Sequence, residues 1–177
     1  MIAERAEKKG LTLIVGDRSN EDFIADKPVS ELSGIFLHPT VLETRFTPTS
    51  VAVVRHPIDQ WIFLQNQLGA DAPRLEIFMR GYRRFSDCLN GIEIVRFEDF
   101  LADPASVLTA ICNALDAPYN ADWEARWNDY NSFVAEPARP KPDGAAEMAY
   151  NDEILQAFNA NPDYGPTLEK LGYGAAN

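Results

Sequence analysis

The chain has 177 residues, of which 46% are apolar and 24% charged, and its formal net charge is −11. This size and composition predict one soluble globular domain, residues 1–177, able to bury roughly 70% of its unfolded surface. The acidic balance excludes general binding to nucleic acid or to an anionic membrane, since both need a basic face.

The N-terminus and the two cysteines favour a cytoplasmic protein without a metal. The opening "MIAERAEKKG" is too charged for a signal peptide, and no apolar run approaches the length of a membrane span. Cys88 and Cys112 lie in helical patterns without a C-x-x-C spacing. We therefore expect two buried thiols and no metal site.

Three short apolar segments predict strands: residues 11–15, 51–54 and 92–96. Each is followed by a turn and then by a helical pattern. This alternation predicts an α/β fold of three layers, with a parallel sheet flanked by helices on both faces.

Four segments after residue 56 predict helices. The first runs over residues 57–67, and the second is opened by Pro73 and ends near residue 90. The third begins at Pro104 with Asp103 as its N-cap. The proline-rich residues 135–146 predict a loop. A last helical region covers residues 149–160 and continues to Gly172, a good residue to follow a helix end. Two apolar stripes at helical spacing predict buried faces on the second and third helices: Leu75, Phe78, Met79, Tyr82, Phe85 and Leu89, and Val107, Leu108, Ile111, Cys112 and Leu115.

The stretch "VAVVRHPIDQW", residues 51–61, predicts an anion site. Arg55 follows a buried strand, and ligands of open α/β sheets bind at the carboxyl ends of strands. Pro57 suits the first position of a helix, whose positive end would face the same crevice. The planar guanidinium fork matches phosphate oxygens. The alternative is a structural arginine paired with Asp59 or Glu98.

Other polar residues have weaker patterns. "DRS" at 17–19 follows the first predicted strand, so it is placed at the same edge as Arg55, or else Ser19 caps a helix. Arg80 and Arg84 share one helix face, which is also typical of a solvated surface. His38 and His56 have no partner pattern for a nucleophilic triad or a metal site.

Together these segments resemble the PAPS-dependent sulfotransferases, a superfamily with the P-loop fold that moves a sulfuryl group from 3′-phosphoadenylyl sulfate (PAPS) to an alcohol or amine. "VVRHPIDQW" is similar to the family's R-x-P-x-D segment. "IEIVRFEDFLADPASVLTAICNALDAP" is similar to its later strand, aromatic-Glu-Asp turn and following helix. "LTLIVGDRSNEDF" and "YGPTLEKLGY" also have the family's character.

The resemblance implies the site residues. Arg55 matches the arginine that binds the 3′-phosphate of PAPS or of its product PAP. The family usually has a serine eight positions later, where this chain has Phe63, which cannot donate a hydrogen bond. Arg139 and Lys141 occupy the region where the family closes basic residues over the cofactor. The acceptor's base is not assigned, and Asp17 and Asp22 are candidates because both follow the first strand.

The family's 5′-phosphosulfate loop has no match here, because the sequence lacks a G-x-x-x-x-G-K-[ST] segment. By the resemblance, that loop and its strand would precede residue 1. We expect sulfuryl transfer only if the loop is supplied. The alternative is a non-catalytic domain that binds a nucleotide or a protein. Loss of that strand would leave the edge of residues 51–54 unpaired. Proteins cover or pair such an edge, and a homodimer joined through it is one solution.

Overall fold

A computed structural model describes residues 8–9, 48–126 and 150–174. Its regular elements alternate along the chain: β1 (Val51–Val54), α1 (Pro57–Leu68), a short 3₁₀ turn (Gly69–Asp71), α2 (Leu75–Cys88), β2 (Glu93–Arg96), α3 (Phe97–Ala102), α4 (Pro104–Ala114), α5 (Asp152–Asn159) and α6 (Tyr164–Lys170). The predicted strand at residues 11–15 and the predicted loop at 135–146 lie outside the described residues.

The two described strands pair in parallel, in a register that runs from Val51 opposite Glu93 to Val54 opposite Arg96. A connection through α1 and α2 joins them, as parallel strands require. The predicted α/β class with a parallel sheet is therefore confirmed. On its other edge, β1 has no strand partner among the described residues. The dimer through this edge and the single domain over residues 1–177 stay predictions.

The core lies on one face of the sheet. Val54 is buried there, and Ala52 and Ile94 pack against the same cluster. The cluster draws its other buried side chains from α1, α2, the turn after α2, α5, α6 and the residue that follows α6: Ile58, Leu64, Phe78, Met79, Tyr82, Leu89, Phe158, Tyr164, Leu168 and Leu171. The stripe predicted on α2 is confirmed, with Leu75 and Phe85 at its partly buried margin. On the opposite face of the sheet, Val53 is 56% exposed.

Local signals set several helix ends. The Asp103 carboxylate accepts a hydrogen bond from the Ser106 N–H at 3.1 Å, so it caps α4 as predicted. Gly172 follows α6 with φ of 73°, a conformation that favours glycine. α2 begins at Leu75 rather than Pro73, whose carbonyl accepts a hydrogen bond from the Gln65 side chain.

The apolar stripe of α4 is half-buried rather than buried. This helix packs on α3 and β2 but contributes nothing to the buried cluster. Cys88 and Cys112 are half-buried too, and they form no disulfide. An apolar stripe at helical spacing predicts which side of a helix faces inward, and the depth of burial depends on what covers it.

Candidate functional site

Arg55 lies at the carboxyl end of β1, where the sequence predicts it. Its backbone is held by Tyr82 on α2, whose hydroxyl donates to the Arg55 carbonyl at 2.6 Å. The Arg55 N–H donates back to the same hydroxyl at 3.4 Å. Burial of the phenol raises the pKa of Tyr82 above its usual range, so the hydroxyl stays protonated and remains a donor. The first residue of the predicted site is thus anchored to the core through its main chain.

The Arg55 guanidinium lies between aromatic side chains rather than beside a carboxylate. Its Cζ is 5.6 Å from the ring centroid of Phe63 and 5.4 Å from that of Phe97. Both distances are within the range of cation–π attraction. Among residues 48–126 and 150–174, no ion pair joins Arg55 to an acidic side chain. The pairing with Asp59 or Glu98 that the sequence leaves open is therefore not formed.

The Glu98 carboxylate accepts hydrogen bonds at the start of α1 instead of pairing with Arg55. Its Oε1 accepts a hydrogen bond from the His56 N–H at 2.8 Å, and its Oε2 accepts one from the Tyr173 hydroxyl at 2.6 Å. His56 is the N-cap residue of α1, and Pro57 follows it at the first helical position. The positive end of α1, which the sequence assigns to a ligand anion, therefore already faces a carboxylate of the protein.

Asp59 is bound by the C-terminal segment as well. The Tyr150 hydroxyl donates to Asp59 Oδ1 at 2.8 Å and lies 3.5 Å from Nδ1 of His56. Around the His56 ring stand three tyrosines, with ring centroids at 6.0 Å for Tyr150, 6.3 Å for Tyr164 and 5.1 Å for Tyr173. Sequence reasoning missed this cluster because its members are about a hundred positions apart along the chain.

The His56 cluster predicts that the free energy of unfolding falls as the pH drops from near 7 towards 5. Burial lowers the pKa of His56 below its ordinary value, although the Asp59 and Glu98 carboxylates oppose the shift. Between the folded and the unfolded pKa, the unfolded chain binds more protons at this ring. The contribution is therefore complete above the unfolded pKa of about 6.5 and is lost as the pH falls through the folded one.

Urea unfolding near pH 7, 6 and 5 checks this expectation. His56→Gln should lose less stability over the range than the parent, because it lacks the titrating ring. His38→Gln, which changes the chain's other histidine, is the control. Equal pH slopes for His56→Gln and the parent would contradict the assignment.

Two further arginines serve local ion pairs. Arg96 binds Asp99 through Nε and Nη2 at 2.8 Å and 3.0 Å, and its Nη1 donates to the Gly172 carbonyl at 3.3 Å. Arg96 thereby connects the start of α3 to the end of α6. Arg83 pairs with Asp87 one turn later at 3.2 Å. The salt bridges of the described ranges include neither Arg55 nor Arg80 and Arg84 of α2, and Arg55 is the one of these three at a strand end.

Several predicted residues lie outside the described ranges, so the structure neither joins them to Arg55 nor separates them from it: Asp17, Arg18, Ser19, Asp22, Arg139 and Lys141. Within the described ranges, no group of three or more His, Cys, Asp or Glu side chains is arranged to hold a metal ion. The helices described there include none with the length and apolarity to cross a membrane.

Comparisons with known proteins add little to this geometry. No protein-family model matches the chain, and no curated protein matches it. Among solved structures, a sulfotransferase domain from the curacin biosynthetic pathway is similar, with 14% identity and a TM-score of 0.42. The match covers 78% of this chain and 59% of that domain, so the chain spans less than two thirds of its length. At this TM-score and identity the likeness bears on neither activity nor substrate.

Proposed function

We propose that this chain is a sulfotransferase-family protein that binds a nucleotide with a 3′-phosphate, PAPS or its product PAP, through Arg55. One observation carries the proposal: the Arg55 guanidinium stands at the carboxyl end of a parallel strand with no acidic partner in the described ranges. A guanidinium that no carboxylate binds keeps its N–H groups available, and a ligand phosphate presents oxygens that fit its fork. The quoted R-x-P-x-D resemblance supplies the identity of that ligand.

The reaction proposed for the family site is in-line sulfuryl transfer. A base removes the proton of the acceptor hydroxyl or amine, the acceptor atom bonds to sulfur, and the bond from sulfur to the 5′-phosphate oxygen breaks. The leaving phosphate keeps that electron pair. Cations and N–H donors stabilise it. The transfer step is proposed for the chain with a phosphosulfate-binding loop supplied, since no segment of the printed sequence matches one.

Each candidate residue has one role in this scheme. Arg55 binds the 3′-phosphate, which stands apart from the reacting sulfur, so it contributes to binding in the ground state and the transition state alike. Arg139 and Lys141 are proposed as the cations that close over the nucleotide. Asp17 and Asp22 are proposed as candidates for the base. The acceptor alcohol or amine is unassigned.

A second candidate function, a domain that binds a nucleotide or a protein without catalysis, is favoured by two features of the site. Phe63 provides no hydrogen-bond donor at the position where the family has a serine. The Glu98 carboxylate faces the start of α1 and accepts the His56 N–H, so that amide is not available to a phosphate. Both features reduce the number of hydrogen-bond donors that a phosphate could use, and both leave the Arg55 guanidinium in place.

We expect Arg55→Ala to weaken the binding of adenosine 3′,5′-bisphosphate by about 10- to 150-fold. A hydrogen bond to a charged group is worth roughly 1.5–3 kcal/mol, and each 1.4 kcal/mol is about tenfold in affinity. Titration calorimetry of the parent and the variant at one salt concentration measures the difference.

Arg83→Ala is the matched control, because Arg83 is an arginine of the same domain whose charge is paired with Asp87. It should bind the nucleotide as the parent does. Equal losses for the two variants would point to a general effect of net charge. No binding by the parent at millimolar nucleotide would refute the proposed function.

A further inference from the structure

Phe63 contacts the cation that the proposed function depends on. Its ring centroid is 5.6 Å from Cζ of Arg55, and that of Phe97 is 5.4 Å away. Phe63 belongs to the second turn of α1, whereas Phe97 is the first residue of α3. The guanidinium is therefore held from two separate helices.

The ring of Phe63 contributes little to the core. It is 39% exposed, whereas Ile58 and Leu64 of the same helix are 0% and 7% exposed. It is absent from the buried cluster and from the side chains packed against that cluster. Core packing therefore does not account for a large apolar ring at position 63. The described contact of this ring with a charged group is its cation–π contact with Arg55.

An arginine side chain has many rotamers, and restricting them on ligand binding costs entropy. A carboxylate partner commonly restricts them beforehand, but none in the described ranges pairs with Arg55. Aromatic rings can do so without neutralising the charge, and they leave the N–H groups at the edge of the guanidinium plane for an anion. Pre-ordering of this kind strengthens binding by reducing what the ligand must immobilise.

We propose that Phe63 is a positioning residue for Arg55, holding the guanidinium fork ready for an anion at the carboxyl end of β1. The identity of that anion rests on the proposed function. Where the family's serine would donate a hydrogen bond to the ligand, Phe63 instead restricts the Arg55 side chain. The anion receives its charged hydrogen bonds from the Arg55 fork, because the neighbouring His56 N–H already donates to Glu98.

The test compares Phe63→Leu, Phe63→Ser and Phe63→Tyr with the parent, using adenosine 3′,5′-bisphosphate in titration calorimetry. Leucine and serine remove the aromatic face, so both should weaken binding about 2- to 5-fold. Tyrosine keeps the face and should restore the parent affinity. Leu68→Ala is the control, because Leu68 is a 46% exposed apolar residue of the same helix and should leave binding unchanged.

A second readout requires no ligand. The Arg55 Nε–Hε resonance should move in Phe63→Leu, because the ring current of Phe63 is lost, and should stay in place in Leu68→Ala. Thermal unfolding of each variant confirms that the comparison is between folded proteins. Tyrosine would also rescue a merely structural role of the ring, so the Arg55 resonance is the readout that separates positioning from packing.

The outcomes separate this inference from the proposed function. If Phe63→Leu binds like the parent, or Phe63→Ser binds more tightly, the positioning role is overturned while Arg55→Ala still reports on the proposed function. If the parent binds no nucleotide, the proposed function fails. The Arg55 resonance then decides by itself whether Phe63 positions the guanidinium. A resonance displaced by leucine and restored by tyrosine supports positioning, and an unmoved one overturns it.

Discussion

Phe158→Ala is expected to lower the free energy of unfolding by about 3–5 kcal/mol, because it removes a large side chain from a closed interior. Phe158 on α5 is fully buried and packs edge-to-face with Trp61 and Tyr164, at centroid distances of 5.8 Å and 5.2 Å. It thus joins α5 to α1 and α6. Urea unfolding of the parent and the variant at neutral pH measures the loss.

Phe63→Ala is the matched control for this prediction. It removes the same side chain from α1, but at a 39% exposed position outside the buried cluster. We expect it to cost about 1 kcal/mol or less, as surface positions and exposed cation–π contacts do. A loss in Phe158→Ala no larger than this would show that α5 is not part of the folded core.

Glu98→Ala is expected to lower the free energy of unfolding by about 2–4 kcal/mol. The carboxylate accepts hydrogen bonds from the His56 N–H and the Tyr173 hydroxyl, and alanine leaves both donors without this acceptor. It also removes the negative charge that faces the start of α1. Chemical denaturation at neutral pH measures the change.

The neighbouring acid provides the control. Asp99 pairs with Arg96 at the surface, so Asp99→Ala should cost about 0–1 kcal/mol. Similar losses for Asp99→Ala and Glu98→Ala would mean that the bonds of Glu98 to His56 and Tyr173 contribute no more than a surface ion pair does.

Helix ends follow from local patterns, and the alternation of strand and helix segments along the chain predicts parallel strands. Pro57 starts α1, Asp103 caps α4 and Gly172 closes α6, because each conformation depends on a few neighbouring residues. The placement of Arg55 at a strand end follows from the four apolar residues before it. Such features are predictable because no distant residue has to be known.

The hydrogen-bond partners of the residues around Arg55 could not be predicted from local patterns. Glu98 bonds to an amide 42 positions away, and Tyr150 to a carboxylate 91 positions away, and neither separation has a sequence signal. One contact could have been predicted. In a parallel pair with Val54 opposite Arg96, the next residues, Arg55 and Phe97, stand side by side.

Phe63 shows how a family pattern can mislead. By the resemblance alone, phenylalanine at this position removes the hydrogen-bond donor of the family's serine and so weakens the phosphate site. In the structure its ring lies beside the Arg55 guanidinium, to which the resemblance assigns the 3′-phosphate. The family pattern records which atoms touch the ligand, whereas the described contact of Phe63 is with Arg55, the residue proposed to bind it.

The most direct test of the central claim measures the interaction between the Arg55 guanidinium and the 3′-phosphate of the nucleotide. Parent and Arg55→Ala are each titrated with adenosine 3′,5′-bisphosphate and with adenosine 5′-monophosphate, which lacks the 3′-phosphate. The four affinities form a cycle whose interaction energy belongs to that pair of groups. We predict that Arg55→Ala weakens the bisphosphate by about 10- to 150-fold and leaves the monophosphate nearly unchanged. An equal loss for both nucleotides, or none for either, would contradict the assignment of Arg55 to the 3′-phosphate.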